Sequence, residues 1–495
     1  MKRTRHYIGG TETSGRSNRT GPIYDPATGE QTGEVVFGSA ADVDAAVASA
    51  AAAFPEWREV PLSRRSEILF AMRDLVRSHS RQLAEVVTSE NGKMLDDAEG
   101  EVLRGLENLE FACGIPSHLK GEYSAKVSHG IDVHSTRYPL GVVAGITPFN
   151  FPAMVPLWMF ANAIACGNCF VLKPSEKTPS TSMLLADLWH QAGLPDGVFN
   201  VIHGDREAVD RLLAHPQVAA VSFVGSTPVA RHIYETATGY GKRVQALGGA
   251  KNHMIVLPDA DLDMAADAAV SAAYGAAGER CMAVSVLAAV GEVAGPLVDA
   301  IAARIGKVKV GGGTDPTAEM GPLVTREHRD RVAGYLDTAT AEGAVVAVDG
   351  RDLVTPGGGF FLGPCLVDHV RADMKVYQDE VFGPVLSVVR VATYPDAVRL
   401  VNENRYGNGV AIFTRDGGVA RRFQDEAEVG MIGINVPLPV PVAFYSFGGW
   451  KDSLFGDLHM YGPDGVRFYT KTKVVTTRWP DPATSTVDLG FPRTR

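Results

Sequence analysis

Gly141-Val142-Val143-Ala144-Gly145-Ile146 is a short apolar run, and it opens the stretch whose reading decides the fold. After it, residues 156–165 look helical, Cys169-Phe170-Val171-Leu172-Lys173 reads as a strand, and 181–192 reads as a helix. Val198 to Ile202 is again a strand, 205–214 a helix, Ala219 to Val224 a strand, and 228–238 a helix. Strands alternating with helices in this way need crossover connections, so the sheet is parallel and the class is α/β. The alternation resumes after Ala250, with a strand from His253 to Leu257, a helix over 262–276, and a strand from Val284 to Val290. Two successive α/β units are the simplest account, divided near 246–252.

Upstream, residues 39–118 read as helical. Ser39-Ala40-Ala41-Asp42 resembles a capping box with Asp in place of Glu or Gln. Ile68, Leu69, Met72, Leu75 and Val76 then recur at helical spacing. Downstream, 351–365 is rich in Gly and Pro and is expected to be loop. The tail from Gly465 to Thr476 alternates apolar and polar residues and reads as an edge strand able to pair with another subunit.

A chain of 495 residues predicts two or three domains. Its net charge of −10 argues against nucleic acid or an anionic membrane as a main partner. No uninterrupted apolar stretch is long enough to cross a bilayer. The basic start, Met1-Lys2-Arg3-Thr4-Arg5, is followed by no apolar region of a signal peptide. Five cysteines are sparse and odd in number, which fits free thiols in a reducing cytoplasm.

One of the five sits in Gly275-Ala276-Ala277-Gly278-Glu279-Arg280-Cys281-Met282-Ala283. Gly275 and Gly278 permit unusual backbone angles, and a cation at Arg280 favours the thiolate, the reactive form. Cys281 is therefore a candidate nucleophile, against the alternative of a small buried hydrophobe. Cys166-Gly167-Asn168-Cys169 has redox or metal spacing, but it lacks a second pair and reads as a turn entering a buried strand.

Thr147-Pro148-Phe149-Asn150 follows the first strand, and the Asn150 amide could donate to a developing oxyanion. Lys173-Pro174-Ser175-Glu176-Lys177 lies at a strand C-terminus, where open α/β sheets bind ligands. Glu176 there could accept from ribose hydroxyls. Phe223-Val224-Gly225-Ser226-Thr227-Pro228 runs from a strand into a Ser-capped helix start that favours phosphate, without being the G-x-G-x-x-G fingerprint. Asp379-Glu380-Val381-Phe382-Gly383-Pro384 places an acid before a turn. For each of these the alternative is an ordinary turn or surface residue.

Taken together and in this order, the segments resemble the aldehyde dehydrogenase superfamily. The resemblance implies a Rossmann-type NAD-binding domain over 1–120 and 142–248 and an α/β catalytic domain over 249–455. It also implies a small β oligomerisation flap from 121–141 and 456–495, and a homodimer or homotetramer. By resemblance Cys281 is the nucleophile and Asn150 the oxyanion donor. Lys173 and Glu176 hold the adenosine ribose, Ser226 the pyrophosphate, and Glu380 the nicotinamide ribose beside Phe149; Thr147, Lys177 and Gly248 join the cofactor site. An acid at the ribose favours NAD over NADP.

Two departures narrow the match. Ala230 replaces a glycine of the phosphate-side turn. Ala246, in Gln245-Ala246-Leu247-Gly248-Gly249-Ala250-Lys251-Asn252, replaces the glutamate that activates water in hydrolytic members. Without that base, water attack on a thioacyl-enzyme is slow, whereas a thiol still reacts.

With Phe455-Gly456-Asp457-Leu458-His459 and Val474-Val475-Thr476-Thr477-Arg478-Trp479, the chain resembles the CoA-acylating methylmalonate-semialdehyde dehydrogenase branch. That branch converts malonate and methylmalonate semialdehydes, with NAD and coenzyme A, into acetyl-CoA or propionyl-CoA. Arg104 and Arg280 would hold the substrate carboxylate; for Arg104 the alternative is a surface residue paired with Glu101 or Glu107. A hydrolytic aldehyde dehydrogenase, or a non-catalytic protein that kept the fold, remains as an alternative.

Overall fold

The computed structural model describes residues 2–353, 358–480 and 483. Five parallel strands form the middle of an eight-stranded sheet, in the spatial order Arg243–Leu247, Val218–Val224, Val142–Ile146, Cys169–Lys173, Phe199–Val201. Val142–Ile146, the first of these in the chain, lies centrally. The next two strands build outward on one side and the last two on the other. This reversal leaves a crevice at the carboxyl ends of Val142–Ile146 and Val218–Val224.

Short antiparallel strands close both edges: His6–Ile8 with Thr11–Thr13 at one, Leu454–Phe455 at the other. The parallel strands are mostly apolar and buried along almost their whole length because helices cover both faces.

The expected helical stretch over 39–118 is four long helices, Ala40–Trp57, Leu62–Ser78, Ser80–Asn91 and Leu95–Cys113, and the short turn Ile115–His118. Its capping box forms as written: Asp42 Oδ2 accepts from the Ser39 amide at 2.9 Å and from its hydroxyl at 2.7 Å. Gly92, at φ 87°, ends the third helix in the left-handed conformation that glycine adopts at no steric cost.

A second sheet of seven strands runs Val345–Val348, Cys365–Asp368, Val385–Val391, Val284–Val290, Asn252–Val256, Gly409–Phe413, Met431–Ile434. All are parallel except the first. The expected strand from His253 to Leu257 is Asn252–Val256, and the expected helix over 262–276 ends at Tyr274.

A third sheet joins Tyr123–Ser128, Ile131–Pro139 and Thr470–Arg478. The last two pair antiparallel from Thr470↔Pro139 to Arg478↔Ile131. The tail differs from expectation at its start: Gly462–Phe468 is a helix, and the edge strand begins only at Thr470. Phe468 and Val466 turn into the core there, so the alternation over 465–469 reflects a helix with one buried face.

The described part of 351–364 is loop, whereas Cys365 already begins a strand. Residues 354–357 of that expected loop, Met1, and 481–482 and 484–495 of the C-terminal segment lie outside the described residues. Among the described residues no helix is long and apolar enough to cross a membrane.

Candidate active site

The crevice of the first sheet opens into a cleft of about 430 Å³ lined by Phe149, Asn150, Lys177, Ser226, Gly248, Cys281 and Glu380. It shares Phe149, Lys177, Val224 and Ser226 with a second cleft of about 660 Å³ that extends over Thr147, Lys173 and Glu176. The sequence-predicted residues of the cofactor site thus line one continuous groove at the carboxyl ends of the central strands.

Cys281 reaches the groove from the other sheet. It lies three residues before Val284–Val290, at that strand's amino end. Its carbonyl accepts from Asn252 Nδ2 at 2.8 Å and Asn408 Nδ2 at 3.1 Å, which tie it to two neighbouring strands.

Behind it the chain is strained. Ala276 and Ala277 have φ of 50° and 51°, and Gly278 has φ 72°. Gly275, expected to supply an unusual angle, has an ordinary φ of −54°. Its role is space instead: a Cβ there would stand 2.5 Å from Arg280 Nη1.

Arg280 does favour the Cys281 thiolate, as expected, but it is outweighed. Burial pushes the Cys281 thiol up to about 12, the Glu380 carboxylate adds to the rise, and Arg280 opposes it only weakly. Arg280 is engaged elsewhere, donating to Asp97 Oδ1 at 2.5 Å.

Asn150 is locked on both sides. Its Nδ2 donates to the Glu279 carbonyl at 2.9 Å, and its own carbonyl accepts from Lys93 Nζ at 2.6 Å. Lys93 is paired with Glu101 at 2.7 Å, with both side chains almost wholly buried. Glu101 Oε1 also accepts from the amides of Ala153 and Met154, which fixes the loop around Asn150.

Glu380 accepts from the Ala250 amide at 2.9 Å, and burial pushes it up to about 7. The approach depends on Gly249, where a Cβ would lie 2.2 Å from Glu380 Oε2. Lys251 next to it donates to the Val376 and Asp379 carbonyls and is lowered to about 7 by burial.

In the longer cleft, Lys173 Nζ stands 3.4 Å from Glu176, which remains partly exposed. Lys177 Nζ lies 4.8 Å from the centre of the Phe149 ring. Ser226 occupies the helix N-cap position, but its side chain caps no amide. Thr147 Oγ1 is buried without a partner among the described residues. Two hydroxyls left unspent at strand ends, and a helix N-terminus between them, suit a phosphate-bearing dinucleotide. Ala230 is buried in the helix Thr227–Gly239.

Arg104 and Arg280 line neither cleft. Arg104 pairs with Glu107 at 2.7 Å, not Glu101, and donates to the Pro441 carbonyl at 2.9 Å. Tyr461 donates to the same carbonyl and lies close enough to feel the charges of both Arg104 and Cys281.

Sequence reasoning missed Thr325, Glu327, His328 and Arg331, which also line the smaller cleft from the start of helix Arg326–Ala341. Thr325 as an N-cap was the available signal. His328 is lowered to about 4 by burial. Its Nε2 donates to the Phe382 carbonyl at 2.6 Å while Nδ1 accepts from Arg331. No cluster of candidate metal ligands occurs among the described residues. Cys166 and Cys169 are free and buried, as the turn-and-strand reading expects.

The chain is 53% identical, over 97% of both chains, to a malonate-semialdehyde dehydrogenase of Pseudomonas aeruginosa. The methylmalonate-semialdehyde dehydrogenase structure from Oceanimonas doudoroffii superposes with a TM-score of 0.96 at 53% identity, covering 98% of this chain and 99% of that one. A candidate methylmalonate-semialdehyde dehydrogenase of Sinorhizobium meliloti, solved in complex with NAD, does so with the same score at 51% identity, over 98% and 99% of the two chains. The model of the aldehyde dehydrogenase family matches residues 13–475, and with that span and those identities the chain belongs to this family.

Proposed function

We propose that the protein oxidises malonate semialdehyde and methylmalonate semialdehyde with NAD and coenzyme A, releasing the carboxylate as CO2 or bicarbonate and yielding acetyl-CoA or propionyl-CoA. One observation carries this reading. Cys281 and Asn150 line one cleft, while Ala246, at the position of the water-activating base, is apolar and wholly buried in its strand. The names of the close relatives point to the same substrates.

NAD, held along the two clefts, would supply the hydride acceptor. Lys173 and Glu176 would hold its adenosine ribose, Ser226 the pyrophosphate, and Glu380 the second ribose, with Thr147, Phe149, Lys177 and Gly248 shaping the groove. The Cys281 thiol gives up its proton to solvent in the cleft and its sulfur adds to the aldehyde carbon. With one N–H of its amide kept on the Glu279 carbonyl, Asn150 would donate the other to the new alkoxide. Loss of hydride leaves a thioester on Cys281. Its carbonyl accepts the electron pair released when the β-carboxylate departs as CO2, and the resulting enolate takes a proton from water in the cleft. The thiolate of coenzyme A attacks the thioester, and Cys281 leaves as thiolate. Arg104 and Arg280 would hold the carboxylate until it departs.

The division into an NAD-binding part (1–120 and 142–248), a catalytic part (249–455) and a flap (121–141 and 456–495) belongs to this proposal, as does a homodimer or homotetramer. The exposed edge strand Thr470–Arg478 supports the oligomer. Free cysteines support a cytoplasmic setting.

Malonate semialdehyde and NAD are given with and without coenzyme A, and products are analysed. The expected result is acetyl-CoA, with NADH formation stalling after about one equivalent when coenzyme A is omitted. Free acid formed at full rate without it replaces this reading with a hydrolytic one.

A further inference from the structure

Asp97 and Arg280 come together from distant parts of the chain, 2.5 Å apart, with side chains 25% and 21% exposed. The contact is single. Asp97 Oδ2 is buried with no hydrogen-bond partner among the described residues. An arginine–carboxylate pair built for stability uses both oxygens in a fork. Here half of the carboxylate has lost its water and gained nothing, so leaving costs Asp97 little.

The two groups differ in freedom. Arg280 lies over Gly275, where no side chain intervenes. Asp97 stands in the first turn of helix Leu95–Cys113, where the exposed amides favour an acid whichever way it turns. Arg104 sits two turns further along the same helix, and it too is occupied by an internal carboxylate, Glu107. Without substrate the two arginines are neutralised. A substrate carboxylate added to that set leaves one negative charge in excess unless an internal acid withdraws.

We propose that Asp97 stands in for the substrate's carboxylate on Arg280, and that binding a carboxylate-bearing aldehyde exchanges one acid for the other. Aldehydes without a carboxylate leave the pair closed. The pair then sets the affinity for semialdehydes, at a cost equal to the fraction of molecules in which Arg280 is already taken. This rests on the role proposed above for Arg280.

The test compares KM for malonate semialdehyde with KM for propanal, as a ratio within each variant. For Asp97→Asn the ratio falls about five- to tenfold, as expected if the pair is closed in about 80–90% of molecules. Asp97→Glu, which keeps the competing charge, holds the ratio within about twofold of the parent. The inhibition constant of malonate falls together with the ratio in Asp97→Asn. An unchanged or raised ratio in Asp97→Asn overturns the exchange, because Asp97 then merely positions Arg280 or is idle. Arg280→Leu separates the two ideas. If it raises both KM values equally, the carboxylate role of Arg280 fails and the exchange with it. If it raises only the semialdehyde KM while Asp97→Asn leaves the ratio unchanged, the exchange alone is lost.

Discussion

Cys281 is held as a thiol in the cofactor-free protein. Burial and Glu380 push it up to about 12, far above the thiolate range of an activated cysteine. Below that value the thiolate fraction rises tenfold per pH unit. Iodoacetamide should therefore modify Cys281 of the free protein about tenfold faster for each unit between about pH 7 and 9. Mass spectrometry of the labelled peptide reads this, and a plateau inside that range contradicts it. That Cys281, Asn150 and Glu380 line one cleft was legible in the sequence because each lies near glycines or prolines that mark a special backbone. Lys93, Asp97, Glu101, His328 and Arg331 were not. They are ordinary charged or polar residues in or beside helices, and only packing shows that a buried one must find a partner.

Among the elements, the Leu95–Cys113 helix does the most positioning. Asp97, Glu101 and Arg104 lie along one face, reaching Arg280, the loop around Asn150 and Pro441 respectively. The Lys93–Glu101 pair is almost fully buried, so removing one partner strands a charge, at a cost of about 3–5 kcal/mol. Lys93→Met should lower the melting temperature measurably and depress kcat more than it raises KM, because the Asn150 carbonyl loses its anchor. Calorimetry and steady-state kinetics check both, and an unchanged kcat would mean that Asn150 is set without Lys93. The parallel strands read from the sequence, from Val142–Ile146 to Val284–Val290, lie within one residue of their expected ends because their apolar runs are buried on both faces, whereas Arg243–Leu247, Cys365–Asp368, Gly409–Phe413 and Met431–Ile434 were not foreseen. The helix Gly462–Phe468 was not, because seven residues of period-two pattern cannot be told from a half-buried helical turn.

Across the whole molecule, Thr470–Arg478 carries an unpaired edge at the margin of its sheet, with Val474 64% exposed and Trp479 just beyond it 67% exposed. An edge of this length invites a second copy of the chain. Val474→Arg is expected to shift the sedimentation profile toward smaller species while leaving the far-ultraviolet spectrum unchanged. A profile identical to the parent's would remove this strand from the assembly.

Leu454–Phe455 completes the first sheet by pairing with Ala246 and Leu247. A ribosome therefore makes the parallel strands of this sheet first and supplies the closing strand only about two hundred residues later. Until then Arg243–Leu247 is a bare flank, and a nascent chain stalled before residue 454 presents it to any neighbouring polysome product, where chaperone capture or aggregation would compete.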